Sequence, residues 1–287
     1  MRLKILIVAL VAAVALLALQ PGVVTAALER VFRLIELGGE PVLASVPVIS
    51  DHEIEALRQA PAQEQAERLL ERSINGYRGA NELIEAEVGN WVGEIEFEGK
   101  LKSRYMVAIN SSNLRVRAAA IEIYLASFSY PKTAKAVQVT IDAIDEDPEH
   151  LTWYLWVLGL FANRDIERDR IFEFLVPYLY DPKDDVRHWA VEGLAFSGDP
   201  RAVPLLLGVF HDDPSPVVRE RAACGVAQSG MFEEEVRQTA IPDLLDFAED
   251  PVLDAQTRKW VYQALRDITG QALPNDPAAW RDWWWRS

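Results

Sequence analysis

The chain has 287 residues, half of them apolar, enough to bury a sizeable core, which excludes a disordered chain. Its 44 acidic against 29 basic residues leave a net charge of −15, which repels phosphate backbones and excludes DNA or RNA as a partner. The single cysteine, Cys224, excludes an internal disulfide; set in RAACGVA with no histidine within ten residues, it reads as a buried structural thiol.

In chain order, Arg2 and Lys4 precede an unbroken apolar run from Ile5 to Leu19, followed by Pro21-Gly22. This is an export segment. It is either a signal peptide cut after Ala26, where Val24 and Ala26 are the small residues such a site needs, or an uncleaved anchor attaching to the membrane through residues 5–28. The remainder is expected to be exported, periplasmic or held at the inner membrane, and without residues 1–26 it carries 27 bases against 44 acids, a net charge of −17. Residues 27–49, with GGEPVLASVPV, have the glycine and proline content of a linker.

Residues 50–110 read as a helical N-terminal cap. Ser50-Asp51-His52-Glu53 has the pattern of a capping box. Ala66, Leu69, Ile74, Tyr77, Leu83, Ile84, Val88, Trp91 and Ile95 follow at near-helical spacing, interrupted by Gly76, Gly79 and Gly89.

From residue 111 onward the chain repeats. Asp-Pro recurs at 147, 181, 213 and 250, a spacing of about 35 residues that marks a solenoid. DPKDDVRHWAVEGLAFSG (181–198) and DPSPVVRERAACGVAQSG (213–230) share Asp-Pro, Val-Arg, a central Ala, a Gly and a closing Ser-Gly in one register. The register continues with losses in SSNLRVRAAAIEIYLAS (111–127), in DPEHLTWYLWVLGLFAN (147–163), where Trp153 stands in place of Arg, and in DPVLDAQTRKWVYQALRDITG (250–270), which has two extra residues before Arg258. Five units are expected, starting near 111, 147, 181, 213 and 250, each a pair of helices. The second helix opens on Pro204 in unit three and Pro242 in unit four, and Pro177 should kink that of unit two. Such pairs cannot bury their apolar faces alone and must stack, so the fold class is all-α, an α-solenoid with a helical cap at each end. Asp276-Pro277 opens a last helix that sets Trp280, Trp283 and Trp284 on one face, the C-terminal cap over the final repeat.

This pattern resembles the HEAT repeats, and among them the short HEAT-like type found in phycobilin lyases, over residues 111–270. The resemblance implies a structural ladder between successive repeats, carried onto Asp181 with Arg187, Asp213 with Arg219, and Asp250 with Arg258. Arg117 faces Ser111 and Asp147 faces Trp153, so the ladder is broken at its first two rungs. It also implies an alternative role, as an enzyme or enzyme-accessory protein holding a small molecule in the solenoid arc.

No sequence feature points to chemistry. The acidic clusters sit in turns before helices, where carboxylates cap free N–H groups, and none forms a calcium loop. The four histidines are scattered without metal-ligand spacing, and phosphate-binding loops and nucleophile elbows are absent. No catalytic residue, cofactor or metal is expected. The sequence is best read as a non-enzymatic scaffold or adaptor that binds a protein or peptide on the concave face of a HEAT solenoid. Among the exposed residues of the second helices, Asp243, Asp246 and Glu249 form a possible binding surface for a neutral to basic partner.

Overall fold

The computed structural model describes residues 46–287, and among them no helix is long and apolar enough to cross a membrane. The export segment, its membrane attachment and the linker up to residue 45 lie outside the described residues. Apart from an isolated bridge between Val48 and Arg78, the described residues form helices alone.

The N-terminal layer comprises α1 (Asp51–Arg58), α2 (Ala62–Ile74), α3 (Ala80–Glu87) and α4 (Gly99–Ile109). Ser50 Oγ accepts from the Glu53 N–H at 3.2 Å, but the Glu53 carboxylate turns away to Arg72, so only half of the expected capping box forms. Gly76 and Gly79 have φ of +72° and +90°, and this left-handed backbone separates α2 from α3. The apolar stripe of Leu69, Ile84, Val88, Trp91 and Ile95 is buried.

Five helix pairs follow. The first helices are α5 (Leu114–Ser127), α7 (Leu151–Asn163), α9 (Asp184–Ser197), α11 (Pro216–Cys224, continued by a π turn over Gly225–Ser229) and α14 (Ala255–Thr269). The second helices are α6 (Ala134–Glu146), α8 (Arg168–Leu175), α10 (Ala202–Asp212), α13 (Ile241–Glu249, after the short α12, Glu234–Gln238) and α15 (Pro277–Arg286). Pro177 does interrupt unit two: α8 stops at Leu175 and a 3-10 turn carries the chain over Val176–Tyr180. Gly198, at φ +68°, ends α9 as a left-handed cap, as the Ser-Gly signal predicts. The matching Gly230 does not do so. Its φ is −71°, and the Met231 N–H donates to the Ala195 carbonyl at 2.9 Å, so contact with α9 directs this turn instead.

The two rows of helices are packed unequally. Gly159 on α7 and Gly193 on α9 meet so closely that a Cβ on either would overlap backbone of the other helix. Ala190, Ala195, Ala222, Ala223 and Gly225 keep the neighbouring first-helix contacts small. The second helices α6, α8 and α10 pack mainly against first helices and meet one another through side chains such as Arg170 with Gln138 and Arg201 with Asp169, and a groove of about 590 Å³ opens between the end of unit two and α10, lined by Leu179, Tyr180, Pro204, Leu205 and Gly208. Close backbones on one side and spread helices on the other curl the stack around its first helices. This corrects the sequence-based expectation, which placed second-helix residues on the concave face.

Candidate functional site

The ladder residues are brought together, but in a different pairing from the one implied by the resemblance. The Arg187 guanidinium binds Asp213 of the next unit through two hydrogen bonds, Nε to Oδ2 at 2.7 Å and Nη2 to Oδ1 at 2.9 Å. Its Nη1 donates to the backbone carbonyl of Asp181 at 2.9 Å. Arg219 repeats the arrangement, donating to the Asp213 carbonyl at 2.7 Å and to the Asp254 carboxylate at 2.9 Å. Arg258 donates to the Asp250 and Leu253 carbonyls at 2.7 and 3.0 Å. The physical reason lies in the Asp-Pro turn. The carboxylates of Asp181, Asp213 and Asp250 each accept from the N–H two residues on, those of Lys183, Ser215 and Val252. Arg187 and Arg219 thus meet only carbonyls in their own units and keep their other edge for the following one, whereas Arg258 meets carbonyls of its own unit alone. These aspartates are turn-formers rather than helix caps; the capping carboxylate of α14 is Asp254, which accepts from Gln256 and Thr257.

The two rungs expected to be broken are filled by other means. Trp153, in the arginine position of unit two, donates to Tyr124 Oη at 3.1 Å and packs on Phe128 and Tyr130. Arg117, with no carboxylate to meet, spans the arc instead. It donates to the Ser111 carbonyl and, from Nη1 and Nη2, to the carbonyls of Ser229, Gly230 and Gln228 at 3.0, 2.9 and 2.8 Å. Those three carbonyls are the orphaned acceptors at the end of the unit-four π turn, where a cation also meets the negative end of the helix dipole. Unit one is thereby tied to unit four.

At the C-terminus Trp280 is fully buried and its indole donates to the Pro274 carbonyl at 2.9 Å. Trp283 and Trp284 are half-buried, and Trp285 is 80% exposed. Asp243 is exposed, whereas Asp246 and Glu249 are ion-paired to Arg281 of α15 at 2.5 and 2.9 Å. Two of the three acidic residues proposed as a binding surface are therefore engaged by the last helix.

The curl of the first helices lines a half-open pocket of about 530 Å³. Tyr105, Met106 and Ile109 of α4, with Asn110 just after it, form one side, and Trp156, Trp189, Glu192, Phe196, Arg221 and Cys224 are among the repeat residues opposite. Met106, Asn110 and Gln228 stand exposed at its rim. Trp156 lies 4.8 Å from Tyr124, 6.2 Å from Phe196 and 6.4 Å from Trp189, ring centre to ring centre, with steep edge contacts throughout. Glu192 projects from α9 with its side chain 13% exposed, and Arg221 Nε stands 2.9 Å from its Oε1. Burial pushes the Glu192 carboxyl above the ordinary carboxylate range, against the pull of Arg221. The Tyr105 hydroxyl is pushed up as well, by burial first and then by Tyr124 and Glu192. Burial lowers the His188 imidazole, which sits 5.5 Å from the Trp189 ring, with Arg221 adding to the effect. Cys224 is half-buried on the cavity wall rather than fully buried, and burial raises its thiol. Among the described residues no group of three or more His, Cys, Asp or Glu stands close enough to hold a metal ion.

None of Arg117, Trp156, Trp189, Glu192 and Arg221 was among the candidate site residues of the sequence. One signal existed for Glu192: in the repeat register it occupies the same position as Glu122, five residues after the ladder arginine.

The model of the family described as HEAT repeats matches residues 137–227. The matched stretch begins within α6, includes all of units two and three and ends in the π turn of unit four, so the unit that has Trp153 in place of arginine lies within it. No curated protein matches the chain. The match places HEAT repeats at residues 137–227, within an all-α solenoid of stacked helix pairs.

Proposed function

We propose that this protein is a non-enzymatic scaffold or adaptor of the cell envelope that holds a segment of a partner protein in the half-open pocket between α4 and its first helices. The observation that carries this reading is the composition of that cavity: Tyr105, Trp156, Trp189 and Arg221 are of the residue types that concentrate binding energy at protein interfaces. The surrounding net charge of −15, or −17 without residues 1–26, favours a neutral to basic partner and a complex that weakens as salt is added. The apolar run from Ile5 to Leu19 supports export, with the repeats working outside the cytoplasm.

The test is photo-crosslinking in intact cells from a reactive residue placed at Gln228 on the cavity rim, with and without residues 1–26. One abundant envelope protein should be captured from the full chain, and capture should fall when residues 1–26 are removed. A second reading, a small molecule held in the arc, draws on the convergence of Glu192, Arg221 and Tyr105 in one cavity. Recovery of a bound metabolite by mass spectrometry of the purified protein, in place of a crosslinked partner, would replace the first reading with the second.

A further inference from the structure

The half-open pocket is cationic within an acidic protein. Among the described residues that line it, the charged side chains are Arg117, Arg221 and Glu192. Two guanidiniums against one carboxylate leave a positive balance, whereas the chain as a whole carries −15. The helix end at the unit-four π turn offsets about half a charge, but Arg237 also meets that turn, donating to the Ala227 carbonyl at 3.0 Å. Arg117 and Arg237 meet carbonyls alone, so neither charge is spent on a carboxylate among the described residues. After burial, Arg221 is the strongest influence on both the His188 imidazole and the Cys224 thiol, ahead of Asp184, Asp185, Glu220 and Asp267.

The hydrogen-bonding groups of the pocket are one-sided as well. Arg221 donates from Nη2 to Ser229 Oγ at 2.5 Å, and its Nε lies against Glu192. Its Nη1 makes no hydrogen bond among the described residues, and unlike Nε it is not sealed from solvent. The indole N–H groups of Trp156 and Trp189 and the Tyr105 hydroxyl are also unpaired among the described residues without being sealed. Burial raises the Tyr105 hydroxyl, which keeps its proton and stays a donor. Glu192 offers no answering acceptor, since Oε1 faces Arg221 and Oε2 is sealed from solvent. Open donors beside a guanidinium, with no open carboxylate, suit an occupant that brings acceptors and negative charge.

Tyr105, Trp156, Trp189 and Phe196 call in addition for an apolar body. The end of a polypeptide presents both on one carbon, the terminal carboxylate beside the last side chain. It can also enter a half-open pocket without the chain having to leave again. The acidic exterior does not oppose it, because a neutral to basic partner still ends in a carboxylate.

We propose that the pocket binds the carboxyl terminus of the partner protein, its carboxylate received by Arg221 and its last, apolar side chain lying against Trp156 and Trp189. This rests on the reading of the pocket as a protein-binding site and specifies which part of the partner enters it.

The test is selection from two heptapeptide libraries against the full chain, one displayed with free carboxyl ends and one with those ends closed by fusion. The free-ended library should yield binders whose last residue is aliphatic or aromatic. Remaking those binders as carboxamides, which keeps the shape and removes the charge, should weaken binding about tenfold or more. Trp189→Leu should do the same, as should Arg221→Gln combined with Glu192→Gln, which leaves no buried carboxylate stranded; melting temperatures are recorded alongside. The carboxamide comparison needs no altered protein and so stands even if a variant misfolds. Carboxamides that bind as tightly as the free acids, or binders drawn from the closed library alone, would overturn this inference while leaving the protein-binding reading intact. Displacement by indole-3-acetate at the same concentration as the peptide would overturn it in favour of a free small carboxylate. Failure of both libraries to yield a binder would overturn both readings.

Discussion

The inner and outer rows of the solenoid show how one repeat register yields two kinds of helix surface. In the inner row, α7 and α9 touch backbone to backbone at Gly159 and Gly193, and buried alanines keep the neighbouring crossings narrow. In the outer row, Gly208 of α10 faces open space, and a groove separates α10 from the end of unit two. Side-chain volume at the crossings thus sets the direction of curvature, and the curvature decides which row can enclose a ligand. Hydrophobic periodicity differs as well: α5 and α7 are buried on most sides, whereas α6 and α13 bury a single stripe.

The largest effect on this comparison is expected from Arg187→Ala. The Arg187 and Asp213 side chains are 9% and 4% exposed, and removing the guanidinium leaves a buried carboxylate without its counter-charge. A loss of about 3–5 kcal/mol is expected in chemical denaturation. A result within 1 kcal/mol of wild type would mean that the inner row is held by packing alone. Next come two matched substitutions. Gly159→Ala should cost about 1–3 kcal/mol, because its methyl would overlap the Gly193 backbone, which has no side chain to move aside. Gly208→Ala, with no atom within 4 Å of the added Cβ, should stabilise by about 0.5–1 kcal/mol through helix propensity. Equal effects of the two would abolish the distinction between the rows.

The smallest effect concerns the outer row's own link between units. His211, at the end of α10, stands 2.9 Å from Asp250 and 2.5 Å from Asp212, with the Phe247 ring at 4.7 Å. Burial alone would lower its pKa, but the bonds to Asp212 and Asp250 outweigh it, so the folded value lies above the ordinary 6.5. A raised histidine contributes stability that is fully present below about pH 6.5 and lost as pH rises through the folded value. Melting temperatures of wild type should therefore decline over that window relative to His211→Gln; parallel curves would remove His211 from the stability of the outer row.

Much of the fold was legible because it is written in spacing. The Asp-Pro recurrence, the Val-Arg pairs and Pro177 located the units and the irregular helix of unit two. The pairing of the ladder was not legible, because Arg187 and Arg219 each meet a backbone carbonyl of their own Asp-Pro turn and a carboxylate of the following unit, which no spacing reveals. Trp153 and Arg117 looked like losses in the sequence; one is replaced by an aromatic contact with Tyr124, and the other meets backbone carbonyls more than a hundred residues away. Backbone carbonyls leave no trace in side-chain identity. Asp246 and Glu249 read as free surface because Arg281, their partner, belongs to a helix that the sequence assigned only a capping role. The cavity residues were missed for a related reason: Trp156, Trp189 and Glu192 become neighbours only after the direction of curvature is known.

The span of Arg117 has a consequence for how this molecule comes apart. A stack of repeats whose units touch only their neighbours behaves as a one-dimensional chain, and its ends fray independently of its middle. A contact from α5 to residues 228–230 adds a coupling between units one and four that skips the two between them. Opening either end then exposes the orphaned carbonyls and the arginine together, so units one to four should exchange their amide hydrogens as a single cooperative block. Unit five, outside this closure, should exchange first. Such a long-range tie also raises the mean sequence separation of contacts, which slows folding relative to an open array of the same length.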